Sequence, residues 1–268
     1  LSNKRPYEKP ALPEFPGGKW VAALLIAYVA FVLTADTLAT LRVAWPFAWA
    51  DWFAWRPKHL APYLLPLVPG ESLDRAVAGF LLSPRTNQLD LFKLTIWFLV
   101  PVLVSWRFMD WGAWGWNRWR GRDWALLALA GIGGVVAVML IPYIPGVSEL
   151  YRPATRLSTG QKVLVVAGYH LWCLSWLPGW EFLHRYVLLA ALGKFFPRHG
   201  WGWLVVPLLI ASSEAAYHLV KPWPETLAMF GFGMAASLWA YQRGNFLLPF
   251  LAHYLIELAL VLFIVLNS

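Results

Sequence analysis

The chain has 268 residues, 59% hydrophobic and only 13% charged, with a mean hydropathy of +0.54. A soluble globular domain is roughly 45–50% apolar and about 25% charged, so the composition excludes an ordinary soluble fold and points to a membrane protein. The net charge of +8 is scattered between apolar segments rather than gathered in a stripe, which argues against nucleic acid as a partner and for anionic lipid headgroups.

In chain order, residues 1–19 are polar and proline-rich, with no apolar core and no small-residue cleavage site. They read as a surface arm and not as a signal peptide. Crossing a bilayer as a helix takes about 20 mostly apolar residues. On that length a first span falls at 20–41. The stretch 42–87 places Arg56, Lys58, Glu71, Asp74, Arg75 and Arg85 among tryptophans and prolines, which suits an interfacial or re-entrant segment. Further spans are expected at 89–108, 124–144 and 160–177, the last closed by Pro178 and Gly179. Four more fill the C-terminal third, at 180–196, 201–219, 225–241 and 246–266.

Glu225 behind Pro224 marks a helix start, a fixed-φ residue followed by an acid at the positive end of the dipole. Gly233 and Ser237, like Gly231 and Ala235, are small residues four apart, which permits close helix contact. The single cysteine, Cys173, excludes an intrachain disulfide. The expected fold is an all-α polytopic membrane protein of about eight transmembrane helices, one domain over 20–268, in a bacterial inner membrane. The arm's four Lys/Arg residues, with Arg107, Arg118, Arg120 and Arg122, favour a cytoplasmic N-terminus, although opposing loops bearing Arg152 and Arg156 leave that bias slight.

An ionisable group at the membrane centre costs at least about 2.5 kcal/mol, so position says more than identity here. The first four spans keep most charges near their ends: Asp36, Asp90 with Lys93 as an interfacial pair, and Lys162. His170 is a lone imidazole, read as a hydrogen-bonded core histidine. The later spans differ. Glu181 and Arg185, Glu214 and His218, and His253 and Glu257 are three pairs spaced four residues apart, and His184 joins the first. Partners at that spacing share one helix face. Stripes facing lipid would each be penalised; stripes facing one another satisfy one another. A shared polar cavity among the C-terminal four helices is therefore expected.

A carboxylate in such a cavity can act as base toward a water, and histidines can orient that water or stabilise an oxyanion. Two imidazoles and a carboxylate (His218, His253 and Glu181) are also the ligand set of a catalytic Zn2+. Proton transport is the rival reading, because relays use the same residue types.

At these residues the chain resembles the CPBP family (ABI or CAAX prenyl protease-like) of intramembrane proteases. That family carries Glu-Glu-x-x-x-Arg, Phe-x-x-x-His and His-x-x-x-Asn in its last helices. This chain offers Trp180-Glu181 with Arg185, Glu214 with His218, and His253 with Glu257, in that order. The run from His218 to Glu225 also resembles a family subgroup, and the likeness covers about 160–268. It implies a catalytic set of Glu181, Arg185, His218, His253 and Glu257, a membrane-anchored peptide or protein substrate, and metal-assisted or metal-free hydrolysis. Five positions depart from the pattern: Trp180 replaces the first glutamate, His184 a phenylalanine, Tyr186 a glycine, Glu214 a phenylalanine and Glu257 an asparagine. An alternative implied by Trp180 is a catalytically silent relative serving as scaffold or accessory subunit in a membrane complex.

Overall fold

The computed structural model describes residues 17–40, 90, 93–106, 119–151, 159–196 and 201–268. Residues 1–16 of the expected arm, the 42–87 stretch and the loop arginines 107, 118, 152 and 156 lie outside these, while Gly18 and Lys19, expected in the arm, open α1. Among the described residues every regular element is helical: α1 (Gly18–Thr40), α2 (Lys93–Ser105), α3 (Gly121–Leu140), the short α4 (Val147–Leu150), α5 (159–193), α6 (Gly202–Tyr217), α7 (Trp223–Arg243) and α8 (Leu247–Leu266). Four of them are long and apolar enough to cross a membrane: α1, α3, α6 and α8, with short 3-10 turns extending α3 and α6.

Helix α5 departs from expectation. The break at Pro178 and Gly179 does not occur; one helix continues where two spans were expected. Proline removes one backbone hydrogen bond but does not stop a helix whose neighbours hold it on both sides. Gly179 serves packing instead of termination. A Cβ there would stand 2.6 Å from the Trp97 Cβ and 3.0 Å from its backbone, so only glycine lets α2 approach this closely. One turn later α5 widens into a π-helical turn, Leu183–Leu188, and α2 opens with another, Lys93–Leu99. Such turns re-aim side chains and often mark functional positions.

Contacts fix the direction of each helix. Asp36 near the end of α1 meets Lys93 at the start of α2, and Tyr217 at the end of α6 bonds the same Asp36. Helix α2 runs alongside α5, with Trp97 on Trp180 and Phe98 on Phe182. Helix α8 runs against α5, pairing Phe246 with Phe182 and Glu257 with Tyr169. It runs with α3, where Gly131 meets Leu255 and Gly134 meets Ile256. Helices α6 and α7 are antiparallel, since His218 accepts from Thr226 and Ala211 abuts Gly233. The long helices therefore alternate. One end of the bundle, here called basal, holds the starts of α1, α3, α6 and α8; the apical end holds the starts of α2, α5 and α7.

Each end is fastened. At the basal end Arg243 grips buried Asp123 through Nε and Nη2, at 2.9 and 2.6 Å, while Asp123 also receives the Arg120 N–H. At the apical end Tyr151, just beyond α4, donates to Glu225, which Lys221 also engages. Burial and the adjacent Glu225 push the Tyr151 phenol pKa up, so it stays a donor. The core between the ends is aromatic, with Trp97, Trp180, Phe182, Tyr186 and Phe246 among its buried members.

Candidate active site

The π turn of α5 presents His184 and Arg185 inward, and the α-helical turn before it presents Trp180 and Glu181. All four are essentially sealed from solvent. Glu181 Oε1 lies 2.7 Å from Nδ1 of His253 on α8. A carboxylate oxygen accepts, so Nδ1 carries the hydrogen in this bond. The other oxygen, Oε2, faces Arg185 Nε at 3.3 Å. On the far side of the His253 ring, Nε2 is 3.7 Å from Glu257 Oε1, and Tyr169 of α5 donates to Glu257 Oε2. Two of the three stripes thus meet, as their spacing required.

The third joins through a partner that spacing could not show. Arg185 directs Nη2 at both oxygens of Glu214, at 2.8 and 2.9 Å, and Nη1 at Ser237 Oγ, 3.0 Å away. Although spacing paired the guanidinium with Glu181, Glu214, on α6, takes its close hydrogen bonds. Arg185 thereby ties α5, α6 and α7 together. Gly233 makes room for it, because a Cβ at that position would collide with the Glu214 carboxylate and stand 3.2 Å from Ala211 Cα.

Gly233→Ala is accordingly expected to cost about 1–3 kcal/mol by overpacking, read as a lower melting temperature of the purified protein. An unchanged melting curve would mean that Glu214 has room to move.

His218 stands apart. Its Nδ1 bonds the Glu214 backbone carbonyl at 2.8 Å, not the carboxylate, and its own carbonyl accepts from Thr226. The Trp180 indole packs on it, 5.8 Å from the His218 ring and 4.3 Å from His184, centroid to centroid. His184 Nδ1 bonds the Trp180 carbonyl at 2.8 Å.

Glu181, His218 and His253 therefore do not converge as ligands, and among the described residues no group of three His, Cys, Asp or Glu side chains does so. Both Glu181 oxygens already face a cationic or hydrogen-donating partner.

No family model, curated protein or solved structure matches the chain.

Around the site, half-buried His170 shares a 2.9 Å hydrogen bond between its Nδ1 and the Tyr254 hydroxyl, and Cys173 is buried. Lys93 keeps its expected neighbour Asp90 at 3.9 Å but stands closer to Asp36, at 3.3 Å, and its Nζ lies 3.4 Å from the Tyr217 hydroxyl. Tyr217 packs on Trp180, so this second polar group touches the first only through rings. Sequence reasoning missed Tyr169, Ser237 and Tyr217. Ser237 carried a weak signal as a small residue one turn from Gly233. Tyr169 and Tyr217 carried none, because an intramembrane tyrosine is unremarkable until its hydroxyl is seen to bond.

Proposed function

We propose that the chain is an intramembrane peptidase, with α2, α5 and α7 crossing the bilayer beside α1, α3, α6 and α8, seven crossings in all. The observation that carries this reading is the buried Glu181–His253 hydrogen bond, 2.7 Å long, which joins polar stripes from two helices in an apolar core. Glu181 Oε2 takes a proton from water as the water oxygen attacks the peptide carbonyl, and returns that proton to the departing amine nitrogen. His253 holds Oε1 in place from its Nδ1–H. Arg185 supplies the compensating charge that keeps the carboxylate in the membrane. Glu257 and Tyr169 fix the other edge of the imidazole. The order of motifs shared with the CPBP family supports the same chemistry, and substrates would be peptides presented from within the bilayer.

The test is cleavage of membrane-anchored peptides by the purified protein in lipid. General-base removal in Glu181→Gln should lower the rate by at least about a hundredfold. Unchanged cleavage in that variant would remove Glu181 from the role. A chelator should leave the rate unaltered, and a zinc requirement would overturn the metal-free step.

One observation favours a second reading. Trp180 fills the position where the family places an acid, and its buried indole packs on the His218 ring. A non-catalytic scaffold in a membrane complex has this property. It predicts stable co-purification with a partner that survives His218→Ala combined with His253→Ala, with no cleavage by either protein.

A further inference from the structure

Glu181, His184 and Arg185 each keep one buried polar atom without a hydrogen-bond partner among the described residues: Oε2, Nε2 and Nε respectively. Arg185 Nε and Glu181 Oε2 stand 3.3 Å apart but lack the alignment of a hydrogen bond. None of the three residues is more than 2% exposed, so bulk solvent does not satisfy these atoms either. A buried polar atom with no bond carries the full cost of its desolvation. In folded proteins such atoms are generally met by protein or by ordered water. Each pair among the three side chains also interacts electrostatically, which places them in one neighbourhood.

The bond on the other side of the His184 ring decides what its Nε2 requires. Nδ1 lies 2.8 Å from the Trp180 backbone carbonyl, which only accepts, so Nδ1 carries a hydrogen. In the neutral ring Nε2 then offers a lone pair. Glu181 Oε2 is a second acceptor, and Arg185 Nε is a donor. Two acceptors and one donor are the complement of a single water molecule. We infer that these three atoms hold one water, and that His184 is a further residue of the site, orienting that water for hydrolysis. The water site stands without any catalytic role; the orienting role rests on the peptidase reading. The water gives one hydrogen to His184 Nε2 and the other to Glu181 Oε2, and accepts from Arg185 Nε–H. Its second lone pair stays free. In the reaction Glu181 Oε2 takes the hydrogen pointed at it, and the free lone pair forms the bond to the peptide carbonyl carbon. The other hydrogen stays on the oxygen, still donated to His184. When the C–N bond breaks, the amine nitrogen takes the proton from Glu181, giving a carboxylic acid and an amine.

Two measurements test this, the first without a substrate. Water-edited solid-state NMR of the protein in lipid, with isotope-labelled histidine, reads transfer from water protons to ring nitrogens; the His184 signals are those lost in His184→Phe. Transfer to an unprotonated His184 nitrogen is expected, and its absence overturns the water site whatever the protein cleaves. The second measurement is cleavage of membrane-anchored peptides. Asparagine keeps a donor near the Nδ1 position and has no acceptor at that of Nε2, whereas glutamine can place its amide oxygen there. His184→Asn should therefore lower kcat about tenfold with KM unchanged, the effect of one hydrogen bond to the nucleophile, and His184→Gln should recover most of the loss. Equal losses of kcat in the two variants, or a kcat that follows melting temperature alone, would make His184 a structural residue and overturn the orienting role. Water transfer in a protein that cleaves no peptide would leave the water site standing, and would remove the peptidase reading and the orienting role with it.

Discussion

Replacing Arg185 with methionine is expected to destabilise the protein by about 3–5 kcal/mol, because it leaves buried carboxylates without their compensating charge. Arg185 is buried and donates from Nη2 to both oxygens of Glu214 while facing Glu181 Oε2. Methionine fills most of the volume, so the loss is one of charge compensation rather than packing. The double variant Arg185→Met with Glu214→Gln should recover part of it, since one of the two stranded charges is then gone. Melting of the purified protein in detergent gives both numbers. Arg122→Met, at an exposed position on α3, is the control and should change stability by no more than about 0.5 kcal/mol. If the Arg185 variant melts with the control, Glu181 and Glu214 are accommodated without the guanidinium, and the compensating role assigned to it fails.

Trp180→Ala comes next, with an expected loss of about 3–5 kcal/mol from the cavity it would leave. The indole is buried among rings from three helices: Trp97 of α2 at 5.7 Å, Tyr217 of α6 at 5.0 Å, and His184 of its own helix at 4.3 Å. No one of these contacts is strong, but the ring is the common neighbour of all of them. Trp180→Phe should lose substantially less, because it keeps a ring in the gap. Trp223→Ala, exposed at the apical end, should lose almost nothing. The functional consequence separates the two readings. In a peptidase, Trp180→Phe alters the rate, since the ring borders the Glu181 group. In a scaffold, partner co-purification follows stability alone.

Much of the site could be read from spacing. Glu181 with Arg185, and His253 with Glu257, lie four apart in apolar runs, and the cost of facing lipid required such stripes to face protein. The Glu181–His253 contact is that requirement met. What spacing could not supply was the choice of partner across helices. The Nη2 amino group of Arg185 reaches both oxygens of Glu214, at 2.8 and 2.9 Å, whereas Glu181, on the same helix, offers Oε2 only at 3.3 Å from Nε. Lys93 likewise stands nearer Asp36 of α1, at 3.3 Å, than Asp90, its neighbour in sequence, at 3.9 Å. The expected pair of Glu214 and His218 failed differently, because the histidine bonds a backbone carbonyl at a helix end that needed a donor.

The continuity of α5 was hidden by a rule that holds in water. Proline followed by glycine usually ends a helix when solvent can take up the freed backbone groups. Within a packed apolar core the chain does better to continue, and Gly179 has a different task, the close approach of α2. The seven-helix alternation was equally invisible, since it depends on reading 159–193 as one element instead of two.

That one element has a further consequence. A helix over 159–193 extends about 50 Å, whereas the hydrocarbon layer is about 30 Å thick. On the reading proposed here, α5 cannot stand upright within the bilayer. It must lean, or carry its Thr159 end, with Lys162, out among the headgroups. Pro178 and the π turn lie in its second half, where a lean can be converted into a bend. Bilayer thickness then becomes a control on the angle of the helix that carries Glu181. Lipids of longer or shorter chains should alter the behaviour of this site while leaving every side chain around it unchanged.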